Sequence, residues 1–272
     1  MSFSIAGKTA IVTGSSTGIG LAIGRQFVAA GANVMFADTN EAALVRELGE
    51  QADESNIRYF AGDLRERLTQ ANLLSATLDS FDTVDILVNA SRQIMASDPL
   101  NPEEDNVREL LEQNLMAALR LTQLVAKRMK KQAVQEDNPD DRRDGQIGSI
   151  VNISSIAARQ THTDLLGYSI ASAALDQMTR SMAVALADSR IRVNAVAFGS
   201  VMSASLKQTL KDSSGLRSEI LECTPMSRIA APSEVADAVQ YLASEGAGFV
   251  TGQIITIDGG RTLIDPVTAP AH

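Results

Sequence analysis

Two kinds of apolar pattern alternate along this chain. Short apolar runs occur at Ala10 to Val12, Asn33 to Asp38, Ile57 to Ala61, Val84 to Val88 (ending at Asn89), Ser149 to Ile153, Arg192 to Val196 and Ile254 to Ile257. Between them, apolar residues recur every three or four positions, as at Ile19, Ala22, Ile23 and Phe27, or at Leu110, Leu111, Leu115, Ala118, Leu119, Leu124 and Val125. The first kind reads as buried strands and the second as helices with one apolar face. Helices are predicted from Ile19, over Glu41 to Glu54, from about Glu66 to Ser80, from about Glu103 to Gln132, from Tyr168 to about Ala187, and after a Ser233 cap through Val235, Ala236, Val239 and Leu242. Strand–helix alternation predicts a parallel sheet covered by helices on both faces, with right-handed connections.

Two stretches break the alternation. Gln135 to Gly145 is strongly charged and reads as a solvated, mobile loop. It is an excursion and not a boundary, because the pattern resumes after it, so residues 1–272 form one domain. Ser200 to Thr224 is polar and irregular, with a short helical pattern around Leu206 and Leu210, and reads as a substrate lid.

Composition narrows the chemistry. A chain of 272 residues with 44% hydrophobic content can bury a sizeable core. A net charge of −9 repels nucleic acid and anionic membranes. No apolar run reaches the length of a membrane span, and Met1 to Lys8 lacks the apolar core of a signal peptide. Cys223 is the only cysteine, which excludes an internal disulfide or a thiolate metal cluster. His162 and His272 are too few for a histidine metal site or a serine-protease triad. The expectations are a cytoplasmic protein with no bound metal.

The sharpest local signal is Thr13-Gly14-Ser15-Ser16-Thr17-Gly18-Ile19-Gly20, where a strand turns into a helix. Free N–H groups at a helix N-terminus attract anions, and glycines let a phosphate approach the backbone. The spacing is G-x-x-x-G-x-G, so a plain tight turn is an equal reading on this ground alone. Asp38 ends the second strand, about twenty residues on, where a carboxylate can accept from a ribose 2′-hydroxyl or cap the next helix. Asn114 sits inside an apolar helical stripe and needs partners, either backbone or chemistry. Ser155 follows a strand at the sheet's carboxyl end, where open α/β folds bind ligands. Ser155 could equally cap backbone, and Tyr168 could pack at a helix start.

In this order and spacing, these residues resemble the short-chain dehydrogenase/reductase family from about Gly7 to Leu263. The marks are the glycine turn, Asp38, Asp63, Asn89, Asn114, Ser155, Tyr168 and the run Gly252-Gln253…Asp258-Gly259-Gly260. The resemblance implies one doubly wound, Rossmann-type domain with a seven-stranded parallel sheet. It also implies hydride transfer between a nicotinamide cofactor and an alcohol or ketone, without a metal. Ser155 would hold the substrate oxygen, Tyr168 would exchange the proton, and Asn114 would hold a water in the proton relay. The cofactor would lie along Gly14, Ser16, Thr17, Gly18, Ile19, Gly20, Asn89 and Ser203, with Asp63 and Leu64 at the adenine, Val201 near the carboxamide, and Tyr168 at its edge. Asp38 implies NAD in preference to NADP. The helix with Ala171-Ser172-Ala173-Ala174 and the helix through Leu110 to Val125 would pair with their copies in a dimer or homotetramer.

Three positions depart from the family pattern. Where the family has the lysine of Tyr-x-x-x-Lys, this chain has Ser172. Its Asn-Asn-Ala-Gly turn reads Asn89-Ala90-Ser91-Arg92, and its Pro-Gly pair reads Phe198-Gly199. A lysine four residues after the tyrosine shares its helix face and sets a cation by the phenol, which a serine cannot. Arg92 or Arg159 could replace that cation, although an arginine on a loop is usually solvated. Two readings therefore stand: an oxidoreductase, or a cofactor-binding relative with little or no catalysis.

Overall fold

The computed structural model describes residues 3–49, 56–136 and 146–265. Its strands are β1 (Thr9–Thr13), β2 (Asn33–Asp38), β3 (Ile57–Ala61), β4 (Ile86–Asn89), β5 (Gly148–Ser155), β6 (Ile191–Phe198) and β7 (Ile254–Ile257). They form one seven-stranded sheet in the order β3-β2-β1-β4-β5-β6-β7, with every neighbouring pair parallel. This is the doubly wound single domain that the resemblance implies, with the parallel sheet that the alternation predicts. The chain winds outward from β1 to β3, returns to place β4 beside β1, then winds the other way. The crevice at that reversal lies between β1 and β4.

The helices are α1 (Gly18–Ala29), α2 (Glu41–Leu48), α3 (Arg67–Phe81), α4 (Val107–Leu111), α5 (Ala117–Glu136), α6 (Leu166–Ala187), α7 (Ala204–Asp212), α8 (Leu216–Glu222) and α9 (Pro232–Ala243). Alternation along each strand divides the core in two. Ala10 and Val12, Val34 and Phe36, Ile86 and Val88 pack with Phe27 and Val239 on one face. Ile11, Met35 and Leu87 pack with Leu73, Leu121 and Met129 on the other. Both faces of the sheet are thus apolar, which is why its strands read as continuous apolar runs. No helix among the described residues is long and apolar enough to cross a membrane.

Several predicted boundaries move. The long helix does not begin at Glu103. Residues 98–104 close a turn, with Asp98 N–H donating to Glu104 O at 3.0 Å, and Asn106 takes a left-handed φ of 53°. No helix can propagate through that residue, so α4 starts at Val107, whose N–H donates to Asp105 Oδ1 at 2.9 Å. A π-helical segment, Glu112–Met116, then joins α4 to α5. α9 is not capped by Ser233. Pro232 takes its first turn, where no N–H is needed, and Glu234 accepts the Ala231 N–H at 2.8 Å. The stretch read as irregular, Ser200 to Thr224, is mostly α7 and α8. The second helix ends at Leu48, and residues 50–54 of its predicted span lie outside the described residues. So does most of the predicted mobile loop, since α5 runs to Glu136 and residues 137–145 are not described.

Candidate functional site

The candidate residues gather at the carboxyl edge of the sheet, each on or just past a strand end or on a helix facing it. At the end of β1, Thr13 Oγ1 accepts the N–H groups of Ala90 and Ser91, both at 3.0 Å, and so ties the turn after β4 to the turn after β1. Gly14 has a φ of +62°, and a Cβ there would lie 2.6 Å from Ser91 Cα. A Cβ on Gly20 would lie 2.1 Å from Gly14 O. By contrast, a Cβ on Gly18 would meet nothing within 4 Å. Two glycines therefore close the turn, and the third leaves open the space over the start of α1. Thr17 occupies the N-cap without a side-chain hydrogen bond, so the first N–H groups of α1 keep their positive field free for an anion. A pyrophosphate fits this cradle.

Asp38 stands beside that turn. Its Oδ2 accepts Ser16 N–H at 3.1 Å and its Oδ1 accepts Asn40 N–H at 3.0 Å. Asn40, not Asp38, caps α2, accepting Ala43 N–H at 3.0 Å. The carboxylate is half-buried at the rim of the cradle, where a ribose would lie. Asp63, past β3, is gripped by Arg65, with Nη2 at 2.6 Å from Oδ2, and that hydrogen bond holds its carboxyl below the ordinary range. Leu64 and Ile19 are buried. Val201 is buried and bridged to Ala230, and Ser203 Oγ caps α7 by accepting Leu206 N–H at 3.2 Å.

Tyr168, in the first turn of α6, packs its ring with Leu110 and Ala171 and turns its hydroxyl to Arg92, whose Nη1 lies 2.5 Å from Oη. Packing and polar contact thus hold together. The guanidinium carbon of Arg92 lies 4.2 Å from the ring centroid of Phe198, at the end of β6. Arg92 is half-buried and held, not the solvated loop arginine expected from its position. Ser172 Oγ donates to Tyr168 O at 2.8 Å and so turns back on its own helix. A chamber of about 10 Å³, room for one water, lies between Ser172, Asn114, Asn89 and Arg92.

Asn114 sits in the π-helical segment. Its Oδ1 accepts Gln93 N–H and its Nδ2 donates to Gln93 O, each at 2.8 Å. Both ends of the amide clamp the loop that carries Arg92, and this backbone role satisfies the buried side chain. Ser155 accepts Ala157 N–H at 3.1 Å. With Tyr168, Arg92 and Phe198 it lines a cavity of about 740 Å³ that extends to Ile94, His162 and Arg261. Arg159 does not line this cavity.

A polar ladder that the sequence did not announce stiffens the floor. Asn89 Nδ2 donates to Asn152 Oδ1 at 2.8 Å and to Thr122 Oγ1 at 3.0 Å, and Asn152 Nδ2 donates to Thr179 Oγ1 at 2.8 Å. Beside it, Ser154 Oγ donates at 2.6 Å to Asp176, whose carboxyl is pushed up by burial. The only sequence signal was polar residues inside apolar runs, as at Asn152.

Comparison with known proteins converges on one group. A family model described as enoyl-(acyl carrier protein) reductase matches residues 14–262. An L-fucose dehydrogenase of Mus musculus is 33% identical over 264 residues, covering 94% of this chain and 89% of that protein. A 7alpha-hydroxysteroid dehydrogenase of Escherichia coli (strain K12) is 32% identical over 264 residues, covering 93% of this chain and 94% of that protein. A solved structure of 7 alpha-hydroxysteroid dehydrogenase, complexed with NADH and 7-oxo glycochenodeoxycholic acid, matches with a TM-score of 0.83 at 30% identity, over 95% of this chain and 96% of that one.

Proposed function

Because the chain belongs to the short-chain dehydrogenase/reductase family, we propose that it is a nicotinamide-dependent oxidoreductase acting on a small-molecule alcohol or ketone. One observation carries the reading: the Tyr168 hydroxyl, already hydrogen-bonded to a cation, and Ser155 line the same 740 Å³ cavity. When bound, the nicotinamide supplies the carbon that exchanges a hydride with the substrate.

The chain's own residues then divide the remaining work. Gly14, Gly18 and Gly20, with the start of α1, hold the pyrophosphate, and Ser16, Thr17, Ile19 and Asn89 complete that wall. Asp38 accepts from the adenine ribose and repels a 2′-phosphate, which favours NAD over NADP. Asp63 and Leu64 flank the adenine, and Val201 and Ser203 flank the carboxamide. Ser155 Oγ holds the reacting oxygen in line with Tyr168, whose Oη takes the hydroxyl proton during oxidation and returns it during reduction. Ser172, at the family's lysine position, contributes no charge, and Arg92 supplies the cation beside the phenol. Asn114 acts on the proton path by holding the Gln93 loop. The exposed Ile170 and Val184 on α6 support assembly into a dimer or tetramer.

Two findings favour the enzyme reading over a non-catalytic cofactor binder: the relatives named above are dehydrogenases, and Arg92 stands where a charge is needed. The test is turnover of a panel of secondary alcohols and ketones with NAD or NADH, followed at the nicotinamide absorbance, in the wild type and in Tyr168→Phe. Turnover lost in Tyr168→Phe with cofactor affinity kept is the expected result. Cofactor binding with no turnover across the panel would establish the non-catalytic reading instead.

A further inference from the structure

Arg92 has more hydrogen-bonding capacity than Tyr168 uses. A guanidinium carries five N–H donors, and the contacts of Arg92 are the Tyr168 hydroxyl through Nη1 and the face of Phe198. Among the described residues it has no carboxylate partner within ion-pair distance. Glu222, which also lines the cavity, is not among its partners. A half-buried arginine with no anion has lost part of its hydration without the compensating charge that usually accompanies such a loss. Arg92 borders the same cavity as Ser155 and Tyr168.

We propose that Arg92 binds a carboxylate carried on the substrate carbon next to the reacting one, so that the substrate class is 2-hydroxy and 2-oxo acids. The inference rests on the reading of Tyr168 as the group that meets the reacting oxygen. If that oxygen lies at Tyr168 Oη, a substituent one bond further along the substrate lies within hydrogen-bond reach of the guanidinium that already touches Oη. The shape of the site selects the anion. Phe198 lies against the guanidinium, 4.2 Å from its carbon to the ring centroid, and leaves free the N–H groups that Tyr168 does not use. A planar carboxylate can accept two parallel hydrogen bonds from such a fork. The rest of the cavity, with Ile94, Ile156, Leu165 and Ile264, leaves room for an apolar remainder.

Binding and turnover test the two proposals separately. Calorimetric titration of the purified protein would compare oxamate with its neutral counterpart oxamide, in the wild type, Arg92→Gln, Arg92→Lys and Arg261→Gln. The expected result is oxamate binding at least about tenfold tighter than oxamide in the wild type. That margin falls below about threefold in Arg92→Gln, is partly kept in Arg92→Lys, and is unchanged in Arg261→Gln. Equal binding of the two probes would overturn the inference, as would a margin that survives Arg92→Gln or one that is lost in Arg261→Gln instead. In turnover, 2-oxo acids should lose at least tenfold more kcat/KM in Arg92→Gln than simple ketones lose. An equal loss for both would assign Arg92 to Tyr168 alone and overturn the inference. Turnover of neutral ketones without an oxamate margin would sink the carboxylate and leave the oxidoreductase standing. The margin without turnover of any substrate would leave the anion site standing and sink the oxidoreductase.

Discussion

Arg92 and Phe198 come from the ends of two different strands, yet the guanidinium lies 4.2 Å from the ring centroid. The stack holds an otherwise flexible side chain so that Nη1 meets the Tyr168 hydroxyl. A cation–π contact of this kind is worth about 0.5–2 kcal/mol. Phe198→Leu keeps an apolar side chain of most of the same bulk and removes the ring. It should lower kcat up to about tenfold with little change in melting temperature. In a double-mutant cycle its effect should vanish once Arg92 is already glutamine, and an undiminished effect would show that Phe198 acts by another route.

Placing a lysine at position 172 should not help this protein. Ser172 is buried, bonded to Tyr168 O, and faces a chamber of about 10 Å³. A lysine there would be overpacked, at about 1–3 kcal/mol, and would share its space with Arg92. Ser172→Lys should therefore leave kcat flat or lower. Combined with Arg92→Gly, which frees the space and removes the competing charge, the lysine should recover activity that Arg92→Gly alone loses. A gain from Ser172→Lys alone would contradict the compensating role of Arg92.

On the proposed reading, Asp38 sets the cofactor choice. Calorimetry should find NAD bound more tightly than NADP, by roughly tenfold or more, and Asp38→Ser should narrow the gap chiefly by improving NADP. NADP bound equally well by the wild type would remove the assignment.

The glycine turn offers a contrast between fold and ligand. Gly20→Ala drives a Cβ to 2.1 Å from Gly14 O, against backbone, and should cost more than about 2 kcal/mol in denaturant unfolding. Gly18→Ala meets no atom, so its cost is the positive φ of +59°, about 1–2 kcal/mol. That methyl enters the open space above α1, and cofactor affinity should fall far more than stability does. Unchanged affinity in Gly18→Ala would place the pyrophosphate elsewhere.

One surface pair predicts an acid-dependent increment of stability. Arg228 donates to both Glu234 oxygens, at 2.6 and 2.7 Å, and this holds the Glu234 carboxyl at about 2, below its ordinary 4.5. A carboxyl lowered by folding stabilises above its unfolded value, and the contribution is lost as pH falls toward about 2. Both groups are solvent-screened, so the increment at neutral pH is small. Arg228→Gln should lower stability in urea slightly at pH 7, less at high salt, and progressively less below pH 4.5. A difference constant with pH would assign the effect to packing.

The apolar runs and the periodic stretches alone determined the strand order along the chain, the alternation with helices and the parallel sheet. Backbone conformation is chosen over a few residues, so the two repeat lengths are visible without knowing any neighbour. The glycine turn was legible for the same reason, because a strand, a reversal and a helix start are consecutive. The helix start at Val107 was not, since it depends on a left-handed Asn106 just after Glu103, Glu104 and Asp105, which a helix would accept. Asn114 was undecided in sequence, and only the packing of the π-helical segment against Gln93 gave it backbone partners. The meeting of Arg92, Tyr168 and Phe198 was likewise decided by tertiary structure, though each stood out singly. Arg92 leaves the sheet at β4, Phe198 at β6, and Tyr168 arrives on a helix. Local pattern specifies each element and the side chains it carries, but the partner across a cleft depends on which strand ends the sheet order brings side by side.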